Sequence, residues 1–134
     1  MYASENTFDR MENIDWSGQL ILHAWFHHLK TGKNPHCYPE ACMVLGEIAY
    51  WYRPGRNGRK RYHGKRLQLS YGQIAERLAM TKDTVKSATD YLEAKGVIRK
   101  TFETREVDGR KFANVLFIDL SIDRLEEISV MPQG

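Results

Sequence analysis

Two cysteines, Cys37 and Cys42, are all that the 134 residues contain. That is too few for a disulfide framework, and it fits a reducing compartment in which thiols stay free. No Pro-rich, Gly/Ser-rich or low-complexity linker breaks the chain, and no internal repeat is visible. No apolar run approaches the ~20 residues that span a bilayer, and the opening MYASENTFDRMENIDW lacks the charged-then-apolar order of a signal peptide. A cytoplasmic protein without membrane contact is expected. A Gly-rich phosphate loop, a nucleophile elbow and a cluster of metal-ligating acids are also missing, so no enzyme is expected and no cofactor is called for.

Two groups of residues carry side chains capable of metal or covalent chemistry. His23 and His27 are four apart, with His28, His36, Cys37 and Cys42 nearby. On a helix the pair shares a face; on a strand it also does, but ~13 Å apart, too far to chelate one ion. With no Cys-x-x-Cys pair, partly buried, aromatic-like histidines are the expected reading, and no metal. Tyr62, beside basic residues, is the one conceivable nucleophile, in no recognisable catalytic setting.

What is present is an uneven charge. The formal net charge is only +3. Residues 1–16 carry Glu5, Asp9, Glu12 and Asp15 against Arg10, and residues 119–134 carry Asp119, Asp123, Glu126 and Glu127 against Arg124. Between these acidic ends lie 18 basic and 9 acidic residues, a balance of +9 that is the footprint of a polyanion binder. The densest part, RPGRNGRKRYHGKR at residues 53–66, has seven Lys/Arg and no acid. Such a run repels itself unless a polyanion or counter-charges relieve it.

At this length one core can form, hiding roughly two thirds of the unfolded chain's surface. Residues 1–16 read as a loose arm or a short amphipathic helix. QLILHAWFHHL, residues 19–29, suits either a strand or a helix, and TGKNP, residues 31–35, is a turn by composition. Pro39 suits a first helical turn, with Ala41, Val44, Leu45, Ile48, Ala49 and Tyr52 on one apolar face up to the stop at Arg53-Pro54-Gly55. Residues 61–69 form a short hairpin or an irregular basic loop.

Ser70 and Gln73 have capping-box spacing ahead of a helix over 71–78. Ala79-Met80 is a tight connection, Thr81 the next N-cap, and a second helix runs to about Lys95, closed by Gly96. Strand-like VIRKTFETR and FANVLFIDL then flank Asp108-Gly109, a preferred tight-turn dipeptide, and Ser121 or Asp123 can cap a last short helix. The order helix, helix, tight turn, helix, hairpin is that of a winged helix-turn-helix, a mainly α, α+β fold. It divides the chain into an arm (1–18), a winged-helix domain (19–120) and a short C-terminal helix and tail (121–134).

LSYGQIAERLAMTKDTVKSATDYLEAKGVIRK, residues 69–100, resembles the winged-helix signature of bacterial regulators and of plasmid or phage replication initiators. AWFHHLKTGKNPHCYPEACMVLGEIAYWYRPGR, residues 24–56, resembles the N-terminal part of mobile-element replication proteins, including the DnaD-like replisome organisers. The resemblance implies sequence-specific binding of double-stranded DNA in replication initiation. The alternatives are a transcriptional regulator of the same fold and a winged helix that mainly binds another protein. Replication or transcription proteins and a second copy of the chain are the implied protein partners. The sequence shows no long extension beyond the winged helix, so either it is an N-terminal fragment or DNA binding is its whole role.

On the recognition helix Val85, Ala88 and Leu92 share a core face, with Thr89 and Tyr91 at its edges. The opposite face presents Asp83, Lys86, Ser87 and Asp90, with Thr84 toward its edge, and this face is expected in the major groove together with Thr81 and Lys82. Lys86 and Ser87 suit base edges or phosphate. Asp83 and Asp90 would be repelled by phosphates, although a carboxylate can accept from a cytosine amino group. Backbone contacts are expected from Arg53, Arg56, Arg59, Lys60, Arg61, Lys65 and Arg66, with Arg59, Lys60 and Arg61 on an exposed surface, and from Arg105, Arg110 and Lys111 at the wing.

Overall fold

The computed structural model describes residues 6–16, 18–31 and 36–133. Among them are six α-helices and one antiparallel hairpin: α1 (Thr7–Glu12), α2 (His23–His28), α3 (Pro39–Tyr52), α4 (Tyr71–Leu78), α5 (Lys82–Ala94), β1 (Ile98–Val107), β2 (Arg110–Leu120) and α6 (Ile122–Ile128). The fold is thus mainly α with a hairpin. None of these helices is long and apolar enough to cross a membrane.

The opening segment is partly helical. α1 buries nothing, and Phe8, Met11, Ile14 and Trp16 all stand exposed. Residues 19–29, which the pattern left open between strand and helix, form α2 after an extended approach. Tertiary contacts decide it: Trp25 Nε1 donates to Ser129 Oγ at 3.0 Å, and His28 Nε2 lies 2.7 Å from the Val130 carbonyl oxygen. Most of the turn expected at 31–35 lies outside the described residues.

α3 begins at Pro39, as its sequence predicts, but it buries far more than one stripe. Cys42, Gly46 and Glu47 are covered along with Ala41, Val44, Leu45, Ile48 and Ala49. Gly46 explains part of this. A Cβ there would sit 2.2 Å from Gln19 Oε1, 3.0 Å from the Leu20 carbonyl oxygen and 3.1 Å from Ile21 Cγ1, so only glycine lets residues 19–21 cross the helix this closely. Gly46→Val is expected to lift that segment away and to lower stability by about 1–3 kcal/mol, the usual cost of overpacking. Denaturant unfolding measures it, and an unchanged midpoint would contradict the close crossing.

The α4–α5 pair is set by local chemistry. The Gln73 N–H donates to Ser70 Oγ at 3.0 Å while the Ser70 N–H donates to Gln73 Oε1 at 2.8 Å, the reciprocal box. Ala79 ends α4 in the left-handed region (φ 54°), Thr81 Oγ1 accepts from the Thr84 N–H at 3.1 Å, and Gly96 (φ 76°) closes the second helix. Asp108 and Gly109, with φ of 51° and 78°, turn the hairpin. Both strands run closer to this turn than their composition suggested. Registry slips between Glu103 and Arg105, where Asn114 takes φ 57° on the facing strand.

Residues 61–66 are irregular. The chain then joins β2, with the Ile118 N–H donating to the Leu67 carbonyl at 3.0 Å and the Leu69 N–H to the Leu116 carbonyl at 3.2 Å. The C-terminal helix shares the common core: Ser121 Oγ caps it by accepting from the Arg124 N–H, Arg124 Nε donates to the Lys95 carbonyl at 3.0 Å, and Ile128 is buried with Leu45, Ile48, Ile74, Val85, Leu92 and Ile118.

Candidate nucleic-acid interface

α5 buries Val85, Ala88 and Leu92 and turns Asp83, Lys86, Ser87 and Asp90 outward, with Thr81 and Lys82 exposed at its start and Thr84 half-buried. Thr89 is not at an edge. It is fully buried, and its hydroxyl donates to the Lys86 carbonyl at 2.9 Å.

Asp90 is already engaged. Lys86 Nζ donates to one of its oxygens at 2.9 Å and Lys100 Nζ donates to the other. Lys100 also reaches the Tyr71 hydroxyl at 2.9 Å and Thr89 Oγ1 at 3.2 Å, and its side chain is only 5% exposed. This pins the hairpin to both α4 and α5. Hydrogen bonds from Lys100 and then Lys86 hold the Asp90 carboxyl below the usual carboxylate range. Burial pulls Lys100 down, but Asp90 and Tyr71 outweigh it and its net shift is upward. The carboxylate that looked ill-suited to a phosphate rail is therefore neutralised by two ammonium groups. Sequence reading missed Lys100 because a lysine in a strand announces no partner 10 residues back.

The basic stretch divides in two. Arg61, expected on an exposed surface, is half-buried: Nε donates to the Arg53 carbonyl at 3.0 Å, Nη2 to the Pro54 carbonyl at 3.3 Å, and the guanidinium lies 4.3 Å from the Tyr50 ring centre. Arg53 and Arg77 approach the same ring at 5.6 and 5.7 Å, and Arg53 Nη2 donates to the Gly18 carbonyl at 3.1 Å. Arg66 pairs with Glu103 at 2.8 Å and Asp119 at 3.5 Å. Lys60 donates to the Gly64 carbonyl and lies over Tyr62, which itself packs edge-on to Tyr52. Arg56, Arg59 and Lys65 are exposed, and among the described residues their side chains have no hydrogen bond or ion pair.

Strand alternation places these groups on two sides of the hairpin. Lys100, Phe102, Leu116 and Ile118 point toward the helices, whereas Glu103, Phe117 and Asp119 face away. Arg66 and Arg105 cover Phe117 from that outer side, at 4.7 and 5.3 Å from its ring centre. Arg105, Arg110 and Lys111 stand exposed around the tip. The α5 face and the end of the basic stretch are therefore separate surfaces joined through the hairpin.

Among the described residues no three His, Cys, Asp or Glu side chains gather as a metal site. Burial, with Cys37 adding, pushes the Cys42 thiol up to about 12, which makes it a poor nucleophile. Burial, then Tyr62 and Asp119, push the Tyr52 phenol up to about 12, and its hydroxyl donates to the Ile118 carbonyl. Compared with known protein families and with curated proteins, the chain matches none.

Proposed function

We propose that this protein is a winged helix-turn-helix module that binds double-stranded DNA, with α5 in the major groove and the β1–β2 hairpin as its wing. The carrying observation is a capped helix pair joined by three residues, followed directly by a hairpin, with Lys86 and Ser87 on the outward face of the second helix. The +9 balance between residues 17 and 118 supports a polyanion partner. Lys82, Lys86 and Ser87 read or grip the groove, the tip residues Arg105, Arg110 and Lys111 meet flanking phosphates, and Arg56, Arg59 and Lys65 add phosphate contacts. Asp90 holds Lys86 in place. The resemblance of residues 24–56 to mobile-element replication proteins favours replication initiation over transcription control.

A cognate site selected from random duplexes tests the reading. Lys86→Ala and Ser87→Ala should each weaken cognate binding by about 1–3 kcal/mol per good base contact while leaving random-sequence binding nearly unchanged. Unaltered selectivity would remove α5 from the groove and favour the protein-binding use of the fold.

A further inference from the structure

A cavity of about 730 Å3 opens between α3, α4 and the segment that crosses Gly46. Among the described residues, the buried side-chain polar atoms without a hydrogen-bond partner are Gln19 Oε1, Glu47 Oε2 and Trp51 Nε1, and all three residues line this one cavity. Orphaned buried polar atoms are rare in folded proteins because each forfeits its hydration. All three belong to residues that line one open concavity of ligand-binding size, which marks it as a place a ligand can fill.

Glu47 sets the chemistry. Its side chain is only 2% exposed, and the nearest cation, Arg77 Nε, stands 3.5 Å away, beyond the 2.7–2.9 Å of a charge-assisted hydrogen bond. Arg77 balances the charge without donating well, and its own side chain is 54% exposed. It can swing out to solvent. Glu76 also lines the cavity, so its walls carry two carboxylates and one guanidinium in an otherwise basic module. That polarity rejects phosphate and attracts a cation. Leu69, Leu78 and the indole of Trp51 offer apolar surface for the body of a ligand, and Trp51 Nε1 needs an acceptor.

We propose that this cavity binds a small organic cation, an amidinium or ammonium whose N–H groups donate to Glu47 and Gln19 while an acceptor on its body takes the Trp51 indole proton. The ligand displaces Arg77 from Glu47. The site is independent of the DNA reading and is tested without DNA.

The probe is 4-methoxybenzamidinium, with neutral 4-methoxybenzamide as its match, added to the full chain. The indole N–H resonance of Trp51, assigned by Trp51→Phe, is the readout. The cation should shift that resonance saturably and the amide should bind at least about tenfold more weakly, the loss expected when a charge-assisted contact is removed. Glu47→Gln should abolish the preference for the cation, and Arg77→Ala should tighten its binding by removing the internal competitor. The proposal fails if the cation gives no saturable shift up to ~10 mM, if amide and cation bind alike, or if Glu47→Gln keeps the preference. Should Glu47→Gln not fold, Arg77→Ala decides alone: tighter binding supports the site, and unchanged or weaker binding overturns it.

Discussion

Alanine at Arg56, Arg59 and Lys65 together should lower affinity for random duplex DNA by about two to three orders of magnitude at ~0.1 M salt, and flatten the salt dependence by about 2.7 log units per log unit. These side chains are exposed and hold no internal ion pair or hydrogen bond among the described residues, so they are free to meet phosphates. Each phosphate contact releases ~0.9 of a condensed counterion, worth roughly eightfold at that salt, and three such factors multiply. No hydrogen bond or ion pair among the described residues depends on these side chains, so circular dichroism and the unfolding midpoint should stay within the ~0.5 kcal/mol typical of surface changes. Arg61→Ala behaves differently. It strips donors from the Arg53 and Pro54 carbonyls and a cation from the Tyr50 ring, so its first effect is on the loop itself. If the triple variant binds duplex DNA as tightly as the parent, the stretch is solvated surface.

Leu92→Ala should cost about 2–5 kcal/mol. Leu92 is fully buried in the core shared by α3, α5 and the hairpin, and its carbonyl accepts the Val97 N–H at 3.0 Å where the chain leaves α5 for β1. Truncation removes apolar contact and leaves a cavity where the helix pair meets the hairpin. A domain of this size has only about 5–15 kcal/mol in total, so the loss is a third or more of its stability in many conditions. The midpoint of thermal unfolding should fall by roughly 6–20 °C. Ser87→Ala, five residues earlier on the exposed face, should change it hardly at all. A loss below ~1 kcal/mol at Leu92 would mean that α5 is not seated as described.

Local signals carried the helix pair and the hairpin turn. Ser70 with Gln73, Thr81, Gly96 and Asp108-Gly109 each fix a backbone conformation within a few residues, and all are legible without knowing the rest of the fold. Partners distant in sequence decided the remainder. α2 is helical where Trp25 and His28 meet Ser129 and Val130, more than 100 residues away. Arg66 is held by Glu103 and Asp119, so a basic run that looked uniform contains both tethered and free cations. α3 showed one apolar stripe, yet Gly46 admits a crossing segment on another side and Glu47 is buried there. Periodicity gives no hint of either. The candidate site was therefore readable in its residue types and in the outward face of α5, but not in which charges are spent on the fold.

The salt dependence of duplex binding tests the central reading most directly. Equilibrium affinity for a random-sequence duplex, measured from ~50 mM upward, should be micromolar or weaker, and its logarithm should fall linearly with log salt at a slope of about −4 to −6, as several phosphate contacts require. An absence of duplex binding at ~50 mM salt, where counterion release favours the complex most, would contradict a DNA-binding module and leave the outward face of α5 to a protein partner.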